Sequence, residues 1–260
     1  MELLSVARLS KSFGGLHAVR DFSLSVRKGE IVSLIGPNGA GKTTIFNLLT
    51  GYLKPTAGSI RFAEQEVTGL RPFEIARKGM VRSFQITNVF PELTVFENVV
   101  AAHYLKARAS FWATLFPGPK VRAREREVEA SAQRLLEFLQ LAPRSEIAAV
   151  NLAHGELRLL EIAIALAAEP TLLLLDEPAA GLNSEESARL VHLIRKLARE
   201  RNVTVLIVEH KMHVVMEVSD KVAVINFGEK IAEGSPQAVQ NDARVIEAYL
   251  GTDALAQGGV

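Results

Sequence analysis

The sequence predicts an α/β fold built on a mostly parallel sheet, and three observations predict it. Continuous apolar runs recur at "IVSLIG", "TLLLLDE" and "VTVLIVEH", each of a length suited to a strand covered on both faces. Helix-periodic segments alternate with these runs, the clearest being "SEESARLVHLIRKLARER". A glycine-rich step, "GPNGAGKTT", joins the first run directly to the first helix. At 260 residues the chain suits one large domain or two intimate subdomains.

The elements follow in order. "RDFSLSV" alternates Phe22, Leu24 and Val26 with polar residues, the pattern of a half-buried strand. "RKGE" turns into "IVSLIG", and "KTTIFNLLTGYLKP" follows as a short helix stopped by Gly51 and Pro55. From about residue 91 the character changes. "RAREREVEASAQRLLEFLQL" is helical in period and rich in both charges, with no clear strand, which predicts a helical subdomain inserted at about 91–167 into a core of 1–90 and 168–260. Within it "SFWATLFPGP" holds the only tryptophan, Trp112, beside Phe111, Leu115 and Phe116. Two readings stand there, a local apolar knot under an irregular loop and an exposed contact patch for a membrane partner. After "TLLLLDE", the helix 184–201 carries Leu190, Ile194 and Leu197 on one face, with acids in its first turn and bases in its last, matching the helix dipole. "KVAVINFGEKIAEG" reads as a hairpin turning at Gly228–Glu229.

Composition excludes several classes. The chain is 48% hydrophobic and 23% charged, an ordinary globular balance. Thirty basic against 29 acidic residues leave +1, so no bulk electrostatic case exists for nucleic acid. There are no cysteines, hence no disulfide and no thiolate metal site. "MELLSVARLS" lacks the basic start and apolar core of a signal peptide, and Glu161 and Glu169 interrupt the richest apolar stretch. A soluble chain is expected, one able to dock on a membrane protein.

The chemistry begins at Gly36–Thr44, which satisfies G-x-x-x-x-G-K-[ST] in its required strand–loop–helix setting and predicts a P-loop NTPase core. Gly36, Gly39 and Gly41 let the backbone curl, with Pro37, Asn38 and Ala40 between them, so that N–H groups point at phosphate oxygens. Lys42 would reach the β- and γ-phosphates, and the Thr43 hydroxyl, ahead of Thr44, would ligate Mg²⁺. The two acids that end "TLLLLDE" then acquire separate roles. Asp176 is placed to hold the metal, and Glu177 to polarise an attacking water as general base. The absence of an N-K-x-D motif removes a GTPase reading.

From Leu3 to Gly251 the chain resembles the ATP-binding subunits of ABC transporters. That resemblance implies an N-terminal antiparallel β subdomain beside the core. It matches Phe13 with the aromatic that stacks on adenine, and Gln85 in "VRSFQITNVF" with the glutamine that touches Mg²⁺ and senses the γ-phosphate. It matches "AGLN" (Ala180 to Asn183) with a short dimer-contact loop, and His210 with the histidine that contacts the γ-phosphate. "LAHGE" (Leu152, Ala153, His154, Gly155, Glu156) stands where the family writes L-S-G-G-Q, the motif that faces the γ-phosphate bound by a second subunit. Ala153 replaces the serine there, losing a hydrogen bond to charged phosphate of about 1.5–3 kcal/mol. His154 and Glu156 replace the first glycine and the glutamine. This altered signature, with "DEPAAGLN" and "EAYLG", is similar to the ATPases of branched-chain amino acid importers. The lipopolysaccharide-export ATPases share the ending but keep the signature serine. The resemblance implies ATP and Mg²⁺ as ligands and a second ATPase subunit, alike or different, as partner. It further implies membrane permease subunits, a periplasmic binding protein acting indirectly, and a prokaryotic cytoplasmic membrane face. The alternatives are an ABC ATPase serving another substrate (an amide, urea or lipopolysaccharide export), a soluble ABC-type ATPase of DNA repair or translation, and a non-catalytic nucleotide-binding module.

Overall fold

A computed structural model of the chain describes residues 1–83, 89–106 and 119–249. Gln85, the Trp112 segment and the last residues of "EAYLG" lie outside the described residues. Two sheets organise the rest. Strands β1 (Glu2–Phe13), β2 (Leu16–Arg27), β4 (Ala57–Phe62) and β5 (Gln65–Glu66) form an antiparallel sheet in the order β2-β1-β4-β5. The larger sheet contains β3 (Ile31–Ile35), β6 (Met80–Ser83), β7 (Leu172–Asp176), β8 (Thr204–Val208), β9 (Lys221–Asn226) and β10 (Glu229–Gly234). Its order is β10-β9-β3-β8-β7-β6, all parallel except the β9–β10 hairpin.

The apolar runs explain this sheet. Every residue of β3, β7 and β8 is buried, because both faces are covered. Strand alternation then divides the side chains between two cores. Leu173, Leu175, Val205 and Ile207 join a cluster with Leu160, Leu136, Leu190 and Ile194 from the helices on one face. Leu172, Leu174, Leu206 and Val208 face the other way, onto Phe46, Ile45 and the antiparallel sheet's Phe22 and Phe62.

Helix α1 (Lys42–Leu49) follows β3, and α2 (Pro72–Arg77) precedes β6. Between β6 and β7 the described elements are helical: α3 (Val95–Lys106), α4 (Pro119–Phe138) and α5 (His154–Ala167), with two short 3₁₀ turns between α4 and α5. Helix α6 (Ser184–Arg201) is capped as its sequence suggests. Asn183 Oδ1 accepts from Glu186 N, Glu186 Oε2 accepts from Asn183 N, and Asn202 closes the C-terminus at φ 52. Helices α7 (Met212–Val218) and α8 (Pro236–Gln240) and a last helical turn over 243–249 complete the chain.

One expectation needs correction. Glu229 pairs with Asn226 as the first residue of β10, so the hairpin turns on Phe227–Gly228, one residue earlier than the sequence suggested. Both turn residues have positive φ, 44 and 82, which is the type I′ geometry that matches strand twist.

Candidate active site

The site begins where β3 runs into α1. Gly36 sits at φ +154, and a Cβ there would lie 2.1 Å from the Ile225 carbonyl oxygen, so only glycine lets the chain leave β3 so close to β9. Helix α1 has Gly41 at its N-cap, no side-chain cap and no acid in its first turn. Its first N–H groups therefore face outward as a concentration of positive potential. The Lys42 side chain is buried and folds back along the loop, Nζ donating to Gly36 O at 2.6 Å and to Pro37 O at 2.9 Å. Burial holds its pKa below the usual lysine value, against the opposing pull of the Glu177 and Asp176 charges.

The two acids that end β7 part ways. Asp176 stays in the strand and is buried, its carboxylate accepting from Arg82 on β6. The other terminal nitrogen of Arg82 donates to Asn47 Oδ1 at 2.7 Å, tying the acid to α1. Glu177 takes φ 48, which turns its side chain off the strand direction, and its Oε1 lies 2.8 Å from His210 Nε2. A cleft of about 840 Å³ gathers Phe13, residues 38–44 of the loop and helix, Glu177 and His210. Phe13 lies at the tip of the β1–β2 hairpin, 47% exposed, with the Lys11 ammonium 5.0 Å from its ring centroid. Thr43 is exposed toward the cleft and Thr44 is half-buried.

The sequence-expected residues are thus not all in one place. None of Leu152–Glu156 lines that cleft. They open α5 beside the 180–183 loop, where His154 Nε2 lies 3.1 Å from Ala180 O. Glu156 caps this helix by accepting from Ala153 N at 3.1 Å, and Arg144 donates to its other oxygen at 2.7 Å. The Arg144 hydrogen bond outweighs partial burial and holds the Glu156 carboxyl below its ordinary pKa.

Three residues that the sequence reading passed over support the site. Arg82 is one, and only its nearness to Gln85 in the sequence hinted at it. Glu209 is the second, a buried carboxylate accepting from Ala179 N at 2.8 Å, His210 N at 2.7 Å and Lys211 N at 2.9 Å. It joins the loop after Glu177 to the segment that carries His210, and its visible sign was the acid just before the last residue of "VLIVEH". Tyr249 is the third. Its hydroxyl is hydrogen-bonded to the Gly36 backbone, while burial pushes its pKa up to about 12.

Comparison with known proteins agrees with this geometry. The family model described as "ABC transporter" matches residues 19–180, and one described as "Branched-chain amino acid ATP-binding cassette transporter" matches 229–254. The high-affinity branched-chain amino acid transport ATP-binding protein BraF of Pseudomonas aeruginosa is 47% identical over 249 residues, 96% of this chain and 98% of its own. LivG of Escherichia coli, of the same description, is 45% identical over the same spans. Among solved structures, the ADP conformation of MJ1267, an ATP-binding cassette of an ABC transporter, superposes with TM-score 0.84 at 33% identity, covering 96% of this chain and 99% of that one. A dimeric post-hydrolysis state of the cassette MJ0796, bound to ADP and Pi, gives TM-score 0.74 at 25% identity over 90% of this chain and 99% of that one. A family model that matches more than half of the chain, with relatives near half identical across almost the whole length, places this chain in the ATP-binding subunits of ABC transporters.

Proposed function

We propose that this chain hydrolyses ATP to drive uptake of branched-chain amino acids through membrane permease subunits, from the cytoplasmic face of a prokaryotic membrane. The names of BraF and LivG support the substrate, and the model matched at 229–254 supports the same branch. No helix among the described residues is long and apolar enough to cross a membrane.

The observation that carries the reading is the cleft in which a glycine loop, an uncapped helix start, buried Lys42 and Glu177 converge. Loop N–H groups and Lys42 bind the phosphates, and Phe13 stacks on the base. Glu177 takes a proton from the attacking water, and His210, 2.8 Å from it, orients that carboxylate and reaches the γ-phosphate. Among the described residues no group of three or more His, Cys, Asp or Glu is arranged to hold a metal. Mg²⁺ itself takes few protein ligands when phosphates and water complete its shell. Mg²⁺ would be held by the Thr43 hydroxyl, Asp176 and Gln85, and would neutralise developing phosphate charge.

Leu152–Glu156 lie outside the chain's own cleft, so they serve the cleft of a second ATPase subunit. The gap between signature and phosphates closes when nucleotide joins two subunits, and hydrolysis reopens it. The dimeric post-hydrolysis MJ0796 structure is the supporting precedent. The test is the solution mass of Glu177→Gln with and without Mg-ATP. A shift from monomer to dimer is expected, with turnover almost abolished. Vigorous turnover in this variant would remove Glu177 as base. ATP binding without dimerisation would mean that "LAHGE" cannot complete a site with its own kind. For the substrate, wild type should restore ATP-dependent leucine uptake to cells deleted for their own such subunit. Unrestored uptake would remove the amino acid assignment.

A further inference from the structure

Phe227 has no place in the scheme above, yet it is conspicuous on three counts. It is 78% exposed, the most exposed phenylalanine among the described residues. It occupies the first position of a type I′ turn at φ 44, where asparagine, aspartate or glycine is the comfortable choice and a bulky side chain is disfavoured. And it lines the same cleft as Phe13, Leu16 and the phosphate loop.

The turn that carries it is fixed to that loop. Gly228 N donates to Ala40 O at 2.9 Å, and Arg20 N donates to Gly228 O at 2.9 Å. A Cβ at Gly228 would lie 2.8 Å from Ala18 O, so the hairpin tip fits only as glycine, pressed against β2. Arg20 and Glu229 add an ion pair at 3.5 Å beside it. The backbone of Phe227 is thereby held relative to the loop that binds phosphate. A strained, water-exposed aromatic held in this way needs a reason that packing does not supply.

We propose that Phe227 is a second nucleobase-contacting residue, a wall of the base site on the β9–β10 hairpin that acts together with Phe13 on β1. The inference rests on the phosphate-loop reading of the cleft. Anchoring to Ala40 sets the ring at a fixed reach from the phosphates, so base and phosphate contacts are made without further ordering of the loop. Stacking on a phenyl face uses no hydrogen-bond pattern, so this wall strengthens binding of any purine nucleotide and discriminates little among them.

The experiment compares wild type, Phe227→Asn and Phe227→Trp by calorimetry, with AMP-PNP and with inorganic tripolyphosphate as probes. Asparagine suits the turn, so Phe227→Asn keeps the hairpin while removing the ring. Its melting temperature without ligand should equal or exceed that of wild type. AMP-PNP affinity should fall about 5- to 140-fold, the range for loss of one base–aromatic stack, with tripolyphosphate affinity unchanged. Phe227→Trp should bind AMP-PNP as wild type does. Unchanged AMP-PNP affinity in Phe227→Asn would overturn the proposal. A parallel loss for both probes would overturn it too, making the hairpin a brace for the phosphate loop. Wild type that binds neither probe would defeat the phosphate-loop reading itself, a result distinct from either.

Discussion

Arg82 offers a decisive perturbation, because its partner is the acid proposed to hold the metal. The side chains of Arg82 and Asp176 are 9% and 1% exposed, so water cannot take over when either is lost. Arg82→Met keeps much of the apolar stem against Phe46, whose ring centroid lies 5.6 Å from the guanidinium carbon, and removes only the charge and its donors. Asp176 is then buried without its counter-charge, which costs about 3–5 kcal/mol. Asn47 Oδ1 also loses a donor at 2.7 Å, roughly 1 kcal/mol more. Against a total stability of about 5–15 kcal/mol this is a large fraction. Urea unfolding without nucleotide measures it, read as a fall in midpoint at constant m-value. If the uncompensated carboxylate is the cause, Asp176→Asn on the Arg82→Met background should return at least about 1.5–3 kcal/mol, a strong non-additivity. A loss below about 1 kcal/mol, the range of an exposed ion pair, would refute the reasoning. So would simple additivity of the two substitutions.

Two further outcomes follow from the same neighbourhood. Burial lowers the Lys42 pKa from its usual value, and triphosphate binding should raise it again, so nucleotide binding in alkaline buffers should take up a proton and weaken as pH climbs. The sign for folding is that the unfolded chain binds more protons just below 10.5, so Lys42 alone makes stability rise with pH there; binding enthalpies independent of buffer ionisation would contradict the uptake. Glu209→Gln turns part of a three-fold acceptor into a donor facing backbone N–H groups, and should destabilise the protein by about 1.5–3 kcal/mol for each charge-assisted bond lost, with the His210 ring resonances displaced. An unchanged urea midpoint would show that Glu209 does not hold the two loops together.

What could be read from the chain, and what could not, divides along contact range. Loop residues 36–44 announce themselves because their chemistry needs a fixed local spacing, and β7 because an all-buried strand must be apolar throughout. The acids at 176 and 177 were visible for the same reason, since a charge pair has no cheap place at the end of four buried leucines. Arg82 carried no such mark: its meaning lies in a partner 94 positions away, and an arginine on a short strand looks like solvent-facing charge until the sheet order sets β6 against β7. Tyr249 is hidden likewise, since a tyrosine in a terminal helical turn tells nothing of Gly36 until the fold brings them together. The misplaced hairpin is instructive in the opposite direction. Gly228 is a turn residue in either register, and turn propensity, which favours Gly, Asn and Asp over Phe, gives no reason to include Phe227. The structure keeps the phenylalanine in the turn against that preference, because Gly228 must be the second turn residue to meet both Ala40 and Arg20. Local rule and tertiary contact therefore conflict at one residue, and that residue opens onto the cleft lined by Lys42 and Glu177.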